Sequence, residues 1–316
     1  QEADDLLRVV RRFTERGGAA VLITHKLREA LAAADYVTVL RRGQVVLAGA
    51  ARDQSAERLA SAMLGAEAAA PGRTAMPLIS DAAAPLVTLR GVSVTREGGP
   101  AALTDAELSV AAGEIVGVAA VEGNGQRELL RCIAGLVAPA QGTLAVAQPV
   151  AHIPEDRTIE GLIPPLSLTG NFVLGTFGRL PFTQGMRIDW PEARRRTVAM
   201  IDSADVRAPS PEVPAEALSG GNQQKFVVAR ALEVEPRVVV AENPTRGLDL
   251  HAAAAVHGAL REAAARGAAV LVHSSDLDEV LELATRVVVV ANGRVVTPPV
   301  GASRDAIGRL MLGAPA

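Results

Sequence analysis

Leu218 to Lys225 reads LSGGNQQK, and Ser219, Gly220 and Gly221 stand at the start of a segment with helical apolar spacing, FVVARAL. A helix start offers unpaired amides and a partial positive charge, and glycine lets a phosphate come close. Those residue types in that order suit phosphate recognition, although a Gly-Gly turn before an ordinary amphipathic helix reads the same way in isolation. Seventeen residues beyond Lys225 comes a second marked string, Glu242 to Asp249, ENPTRGLD, directly after the apolar run VVVA. The two strings together carry far more information than either Gly-Gly pair alone.

The elements that must position them follow from the apolar pattern. From Pro85 onward VTLRGVSV alternates as a strand, and ELSVAAGEIVGVAA suggests two more. A helix is expected after Gly125, over RELLRCIAGLV, and another near 191–204, entered through Asp189. Residues 155–215 break the rhythm with Pro/Gly loops. Helix 222–233, strand RVVVA and helix 251–265 then restore it. Strand–loop–helix alternation around an inserted, mostly helical section is a parallel-sheet α/β architecture.

The chain also repeats itself. Arg16 to Val46 aligns without a gap on Arg266 to Val296 at an offset of 250, with Gly17 on Gly267, Leu27 on Leu277, Glu29 on Glu279 and Gly43 on Gly293. Each copy reads as helix end, buried strand, helix, strand, Gly turn, strand. A period this long implies two related domains rather than a solenoid. The expected division is 1–50 as the tail of a first domain, 51–84 as a short helix and linker, and 85–313 as a second domain with a helical subdomain at about 155–215.

Composition narrows the function classes. Net charge is −3 and gives no support to a nucleic-acid partner. The apolar share is 49% with only 2% aromatic, so the core is expected to be Ala, Val and Leu. The single cysteine, Cys132, excludes an intrachain disulfide, and the five histidines have no metal-site spacing. No apolar run approaches the roughly 20 residues of a membrane span, and QEADDLLRVVRRF is not a signal peptide. A role at a membrane is therefore expected to run through a partner.

LSGGNQQK, PTRGLD and Pro154-Glu155-Asp156-Arg157 resemble the ATP-binding-cassette ATPases, and within them the subgroup that energises bacterial uptake of simple sugars and nucleosides. The resemblance covers essentially the whole sequence. It implies a P-loop NTPase-like, mostly parallel sheet with an antiparallel N-terminal β-subdomain and an inserted helical subdomain. It also implies two cassettes in one chain, paired head to tail, with each ATP held between the phosphate loop of one and the LSGG helix of the other. The signature helix is then Ser219, Gly220, Gly221, Asn222 and Gln223, and Asp249 belongs to the loop after the strand.

The resemblance places a phosphate loop over Gly123, Asn124, Gly125, Gln126 and Arg127. The working pattern is G-x-x-x-x-G-K-[ST], whose Lys neutralises phosphate and whose hydroxyl binds Mg²⁺. Here Ala120 replaces the first Gly, Gln126 the Lys and Arg127 the hydroxyl residue, with Glu122 adding negative charge. Where the family has Asp-Glu-Pro, this chain has Glu242-Asn243-Pro244: Glu242 is the expected Mg²⁺ support, and Asn243, which cannot accept a proton, takes the place of the general base. Glu155 stands for a glutamine that touches metal and water. Ser275 stands for the switch histidine, with His273 out of register on the preceding strand. Val94-Thr95-Arg96 offers no aromatic platform for adenine. This domain's own site is therefore expected to be degenerate, and the chain alone inactive.

The first copy keeps His25, the position of a working switch histidine for the first cassette's site. The implied cofactors are ATP and Mg²⁺. The implied partners are transmembrane permease subunits through about 156–180, a periplasmic or lipoprotein substrate-binding protein indirectly, and the first cassette or a second copy. The implied location is peripheral, on the cytoplasmic face of the membrane. Leu162 to Leu168 suits either permease contact or core, and Trp190 is expected to pack. The alternatives are a non-hydrolysing regulatory nucleotide-binding module and a soluble cassette protein of translation or DNA repair.

Overall fold

The computed structural model describes residues 2–24, 27–41, 43–64, 84–95, 101–179, 182–185 and 187–313. The chain divides into two units, residues 1–74 with 249–254 and residues 75–248 with 255–316.

The first unit holds α1 (Glu2–Glu15), α2 (Leu27–Ala33), the antiparallel hairpin β1 (Tyr36–Arg41) and β2 (Gln44–Ala50), and α3 (Ala56–Leu64). Alternation along β1 turns Val37 and Val39 inward onto Ala51 and Leu59, with Leu27, Leu31 and Leu47 packed around them. Residues 18–24, expected as a buried strand, are irregular, and Val21 and Ile23 are 93% and 94% exposed. A continuous apolar strand is stable only between neighbours that cover its edges and both faces. Among the described residues no strand pairs with this segment.

The second unit opens with β3 (Val87–Thr95), β4 (Ala101–Val110), β5 (Ile115–Ala120), α4 (Gln126–Ile133), β6 (Gln141–Val146) and β7 (Val150–Ile153). The inserted section holds α5 (Leu168–Thr176), the short hairpin β8 (Thr183–Gln184) and β9 (Arg187–Ile188), and α6 (Trp190–Ser203). Then come α7 (Gly220–Leu232), β10 (Val238–Glu242), α8 (Leu250–Ala265, of which 255–265 belong to this unit), β11 (Ala269–His273), α9 (Leu277–Leu283), β12 (Arg286–Ala291), β13 (Arg294–Val296) and α10 (Arg304–Met311). One sheet has the order β13-β12-β5-β11-β10-β7, parallel except for β13. A second, antiparallel sheet has the order β4-β3-β6.

The central strands β5, β10 and β11 are buried at every position, which explains their uninterrupted apolar sequences. Beneath them lies a core of Val, Leu and Ala that includes Cys132. Gly117 in β5 lets α9 press onto the sheet: a Cβ there would lie 2.5 Å from Val280 Cγ1.

The inserted section is built from caps. Asp156 accepts from the amides of Thr158 and Ile159 and opens a single wide helical turn over Arg157–Gly161. Ser167 caps α5 and Asp189 caps α6, whose Pro191 sits in the first turn. Partly buried Arg230 of α7 donates to the carbonyls of Asn171 and Gly161, tying the section to the core. Burial lowers its pKa to about 10, still well above neutrality. Two expectations are revised here. Trp190 is 52% exposed rather than packed, and the 162–168 run divides: Leu162 and Leu168 are buried while Ile163 is 49% exposed.

Candidate functional site

Between β5 and α4 the chain makes a loop with Gly123 and Gly125 in left-handed conformation, φ 89° and 104°. Gly125 is required on two counts, since a Cβ there would also lie 2.2 Å from the Ala102 carbonyl oxygen. Asn124 fixes the loop to the β12–β13 turn, accepting from Asn292 N through its side chain and from Gly293 N through its carbonyl, both at 3.0 Å. Gln126 is 1% exposed and donates its amide to Glu122 at 3.1 Å. Its Oε1 is buried without a partner. Where a lysine would bring positive charge, this loop holds an amide oriented by a carboxylate.

The first turn of α4 reaches further. Arg127 and Arg131, one turn apart on the same face, converge on two carboxylates. Arg127 Nη2 donates to Glu160 at 3.0 Å, and its Nε is 3.8 Å from Glu242. Arg131 Nη2 lies 2.6 and 2.5 Å from the two oxygens of Glu160, and its Nε is 3.7 Å from Glu242. His152 of β7 completes the cluster, its Nε2 2.7 Å from Glu242 Oε1. The β7–β10 register pairs Val240 with His152, so Glu242 stands two residues on along the same sheet face. The spacing of Arg127 and Arg131 was visible in the sequence; His152 and Glu160 join them only through the fold.

This donor set does not fit the magnesium ion expected at Glu242. The carboxylate is 3% exposed and already faces an imidazole and two guanidiniums. Magnesium needs oxygen ligands in octahedral array, and Arg127 replaces the hydroxyl that would supply one. Among the described residues no group of three or more His, Cys, Asp or Glu is placed to hold a metal.

Asn243, at the base position, has a structural task. It adopts φ 44°, a left-handed conformation that Asn tolerates better than most side chains. Its amide donates to the His273 carbonyl and its Oδ1 accepts from Ser275 N, both at 2.7 Å. The residues expected at the base and switch positions are thus tied to each other. His273 is buried and its Nδ1 lies 2.9 Å from the Val118 carbonyl, so its ring points into the sheet. Beside this tie, Glu279 gathers Thr245, His257 and Ser274 within 2.5–2.7 Å. Burial opposes its ionisation, yet hydrogen bonds from His257, Ser274 and Thr245 outweigh burial and hold its carboxyl below the ordinary 4.5. The sequence hinted at this residue only through its alignment with Glu29.

The LSGGNQQK segment opens α7. Ser219 is exposed at the N-cap of α7, and its side chain makes no capping bond to the first amides. The residues after it anchor the helix. Asn222 donates to Ser219 Oγ at 2.9 Å and accepts from Arg207 N at 2.9 Å. Gln223 donates to the Ala215 carbonyl, Gln224 to that of Pro244, and Lys225 to Asp205. Arg157 lies over the helix start: it donates to Gln223 Oε1 at 3.3 Å, and a Cβ on Gly220 would meet its Nη2 at 2.6 Å. Glu155 pairs with Arg246 of the PTRGLD string, and Asp249 caps α8 through Ala252 N. Val94 is buried in the core, leaving no stacking surface from that residue, while Arg96 and His25 lie outside the described residues.

The ABC transporter family profile matches residues 103–246, from β4 into the PTRGLD string. This segment belongs to the ABC transporter family. Among the curated relatives of the cassette is a glucose import ATP-binding protein of Haloferax volcanii, 37% identical over 99% of this chain and 60% of its own length. A nucleoside import ATP-binding protein of Lactococcus lactis subsp. cremoris is 32% identical over 99% of this chain and 64% of its own length. The chain thus spans about six-tenths of the length of these relatives. Among solved structures, an ATP-binding subunit of an ABC transporter superposes with a TM-score of 0.59 at 21% identity, covering 72% of this chain and 99% of its own. A dimeric cassette bound to ADP and Pi gives 0.58 at 23% identity, covering 66% of this chain and 96% of its own. These likenesses establish the ABC ATPase fold. Among the described residues no helix is long and apolar enough to cross a membrane.

Proposed function

We propose that the chain is part of the ATP-binding subunit of an importer for simple sugars or nucleosides, with residues 85–313 serving as its second cassette. Residues 1–50 are then the end of the first cassette, and 51–84 the connection. The second cassette's own site does not hydrolyse ATP. Its signature helix completes the first cassette's site, where His25 acts as switch and Mg²⁺ accompanies ATP. The observation that carries this reading is the contrast inside one domain. Ser219 is exposed at the start of an anchored α7, whereas Asn243 is spent on holding Ser275. The exposed apolar residues Val21 and Ile23 fit a strand whose sheet belongs to the rest of a first cassette.

Contact with permease subunits is assigned to 156–180, where Ile159 is 78% and Ile163 49% exposed. This makes the protein peripheral on the cytoplasmic face of the membrane, with a substrate-binding protein upstream of the permease. The names of the relatives favour sugar and nucleoside cargo without dividing the two. The test is ATP turnover by the complete tandem protein. Ser219→Arg, which fills the phosphate position with a side chain, lowers turnover on the order of a hundredfold, and Ser275→Ala leaves it unchanged. The opposite pattern, loss with Ser275→Ala and tolerance of Ser219→Arg, would overturn the assignment.

A further inference from the structure

The charges around Glu242 do more than erase a metal site. Arg131 alone satisfies Glu160, contacting both of its oxygens at 2.6 and 2.5 Å. His152 holds Glu242 at 2.7 Å. Arg127 is therefore the most loosely held cation of the cluster. Its bond to Glu160 is the longer one at 3.0 Å, and its side chain is 46% exposed against 25% for Arg131. If it leaves Glu160, Arg131 still holds both oxygens of that carboxylate, and buried Glu242 keeps His152 at 2.7 Å and Arg131 at 3.7 Å. Arg127 also stands in the first turn of α4, directly after the two left-handed glycines of the loop. Gln126 adds no positive charge, since its amide is turned to Glu122 and its free atom is an oxygen. Any charge offered to a phosphate in this loop comes from backbone amides and Arg127, whose planar fork suits phosphate oxygens.

We propose that this cassette's own nucleotide position takes nucleotide phosphates without a divalent metal, the Arg127 guanidinium standing in place of the ion. The proposal rests on the reading of residues 85–313 as an ATP-binding cassette, and it goes beyond degeneracy. The site is rebuilt for metal-free binding, with no chemistry to follow.

The test is ATP affinity of the 316-residue chain, measured once with MgCl₂ and once with EDTA. The two affinities are expected to agree within about twofold, and Arg127→Gln to weaken both by about tenfold, the scale of one charge-assisted hydrogen bond. A melting curve for Arg127→Gln keeps loss of fold separate from loss of affinity. As a second readout, Mn²⁺ added with ATP should keep the electron paramagnetic resonance spectrum of the free complex. Tenfold or greater weakening by EDTA, a protein-bound Mn²⁺ spectrum, or no ATP binding in either condition would each overturn the proposal. None of these would touch the cassette reading, because the Ser219→Arg effect on the tandem protein is measured at the other site.

Discussion

The start of α7 and the end of β10 lie in the same cassette, yet their side chains are used in opposite ways. At α7 the polar residues point away from the phosphate position. Gln223, Gln224 and Lys225 bond backwards into the domain, while Ser219 stays exposed and makes no capping bond. At β10 every acidic or amide group is consumed internally: Glu242 by His152 and two arginines, Asn243 by Ser275. A surface kept for a ligand is held open by anchors behind it. On the proposed reading, a surface released from that task fills with its own hydrogen bonds, because a buried polar group left unpaired is costly.

Substitutions can break either half of this contrast. The largest effect is expected at the open half. Gly220→Val drives a side chain into Arg157, whose Nη2 lies only 2.6 Å from the Cβ position. Turnover of the tandem protein should fall on the order of a hundredfold, read by steady-state phosphate release. In the filled half, Glu242→Ala removes the carboxylate between Arg127, Arg131 and His152. Equilibrium unfolding should register a loss of about 2 kcal/mol, moderated because both arginines keep Glu160. A neutral result would mean the cluster is ornamental rather than a replacement for the lost site.

The smallest effect belongs to Glu279. Its carboxyl is held below 4.5 in the folded chain, so the stability it contributes is present above that value and disappears as pH falls through the folded pKa. Glu279→Gln should therefore flatten the acid limb of the stability profile. The neutral variant still offers Thr245, His257 and Ser274 a hydrogen-bonding side chain. An unchanged acid limb would show that the network is held together without the charge.

The sequence made the continuous strands legible because burial on both faces leaves only apolar residues to read. It also made the caps legible, as with Asp189 before α6. It could not show that one sequence pattern would fold two ways. Residues 269–273 form β11 between β5 and β10, whereas 19–23, their counterparts at an offset of 250, are irregular and exposed. A strand's identity lies in its neighbours as well as in its own side chains. The same limit applies to the candidate site. Ala120, Gln126, Arg127 and Asn243 can be read locally, since each departs from a local pattern. The cluster around Glu242 joins β7, α4, β10 and the 157–161 turn, and local spacing carries no record of that meeting. Trp190 was misread for a related reason, as an aromatic at a helix start packs only if the helix turns it inward.

The central claim is that the phosphate side of this cassette has given up chemistry while the signature side has kept its role. Steady-state ATP hydrolysis by the 316-residue chain tests it most directly. The account predicts background rates with and without Asn243→Ala. Turnover above background that Asn243→Ala abolishes would contradict it.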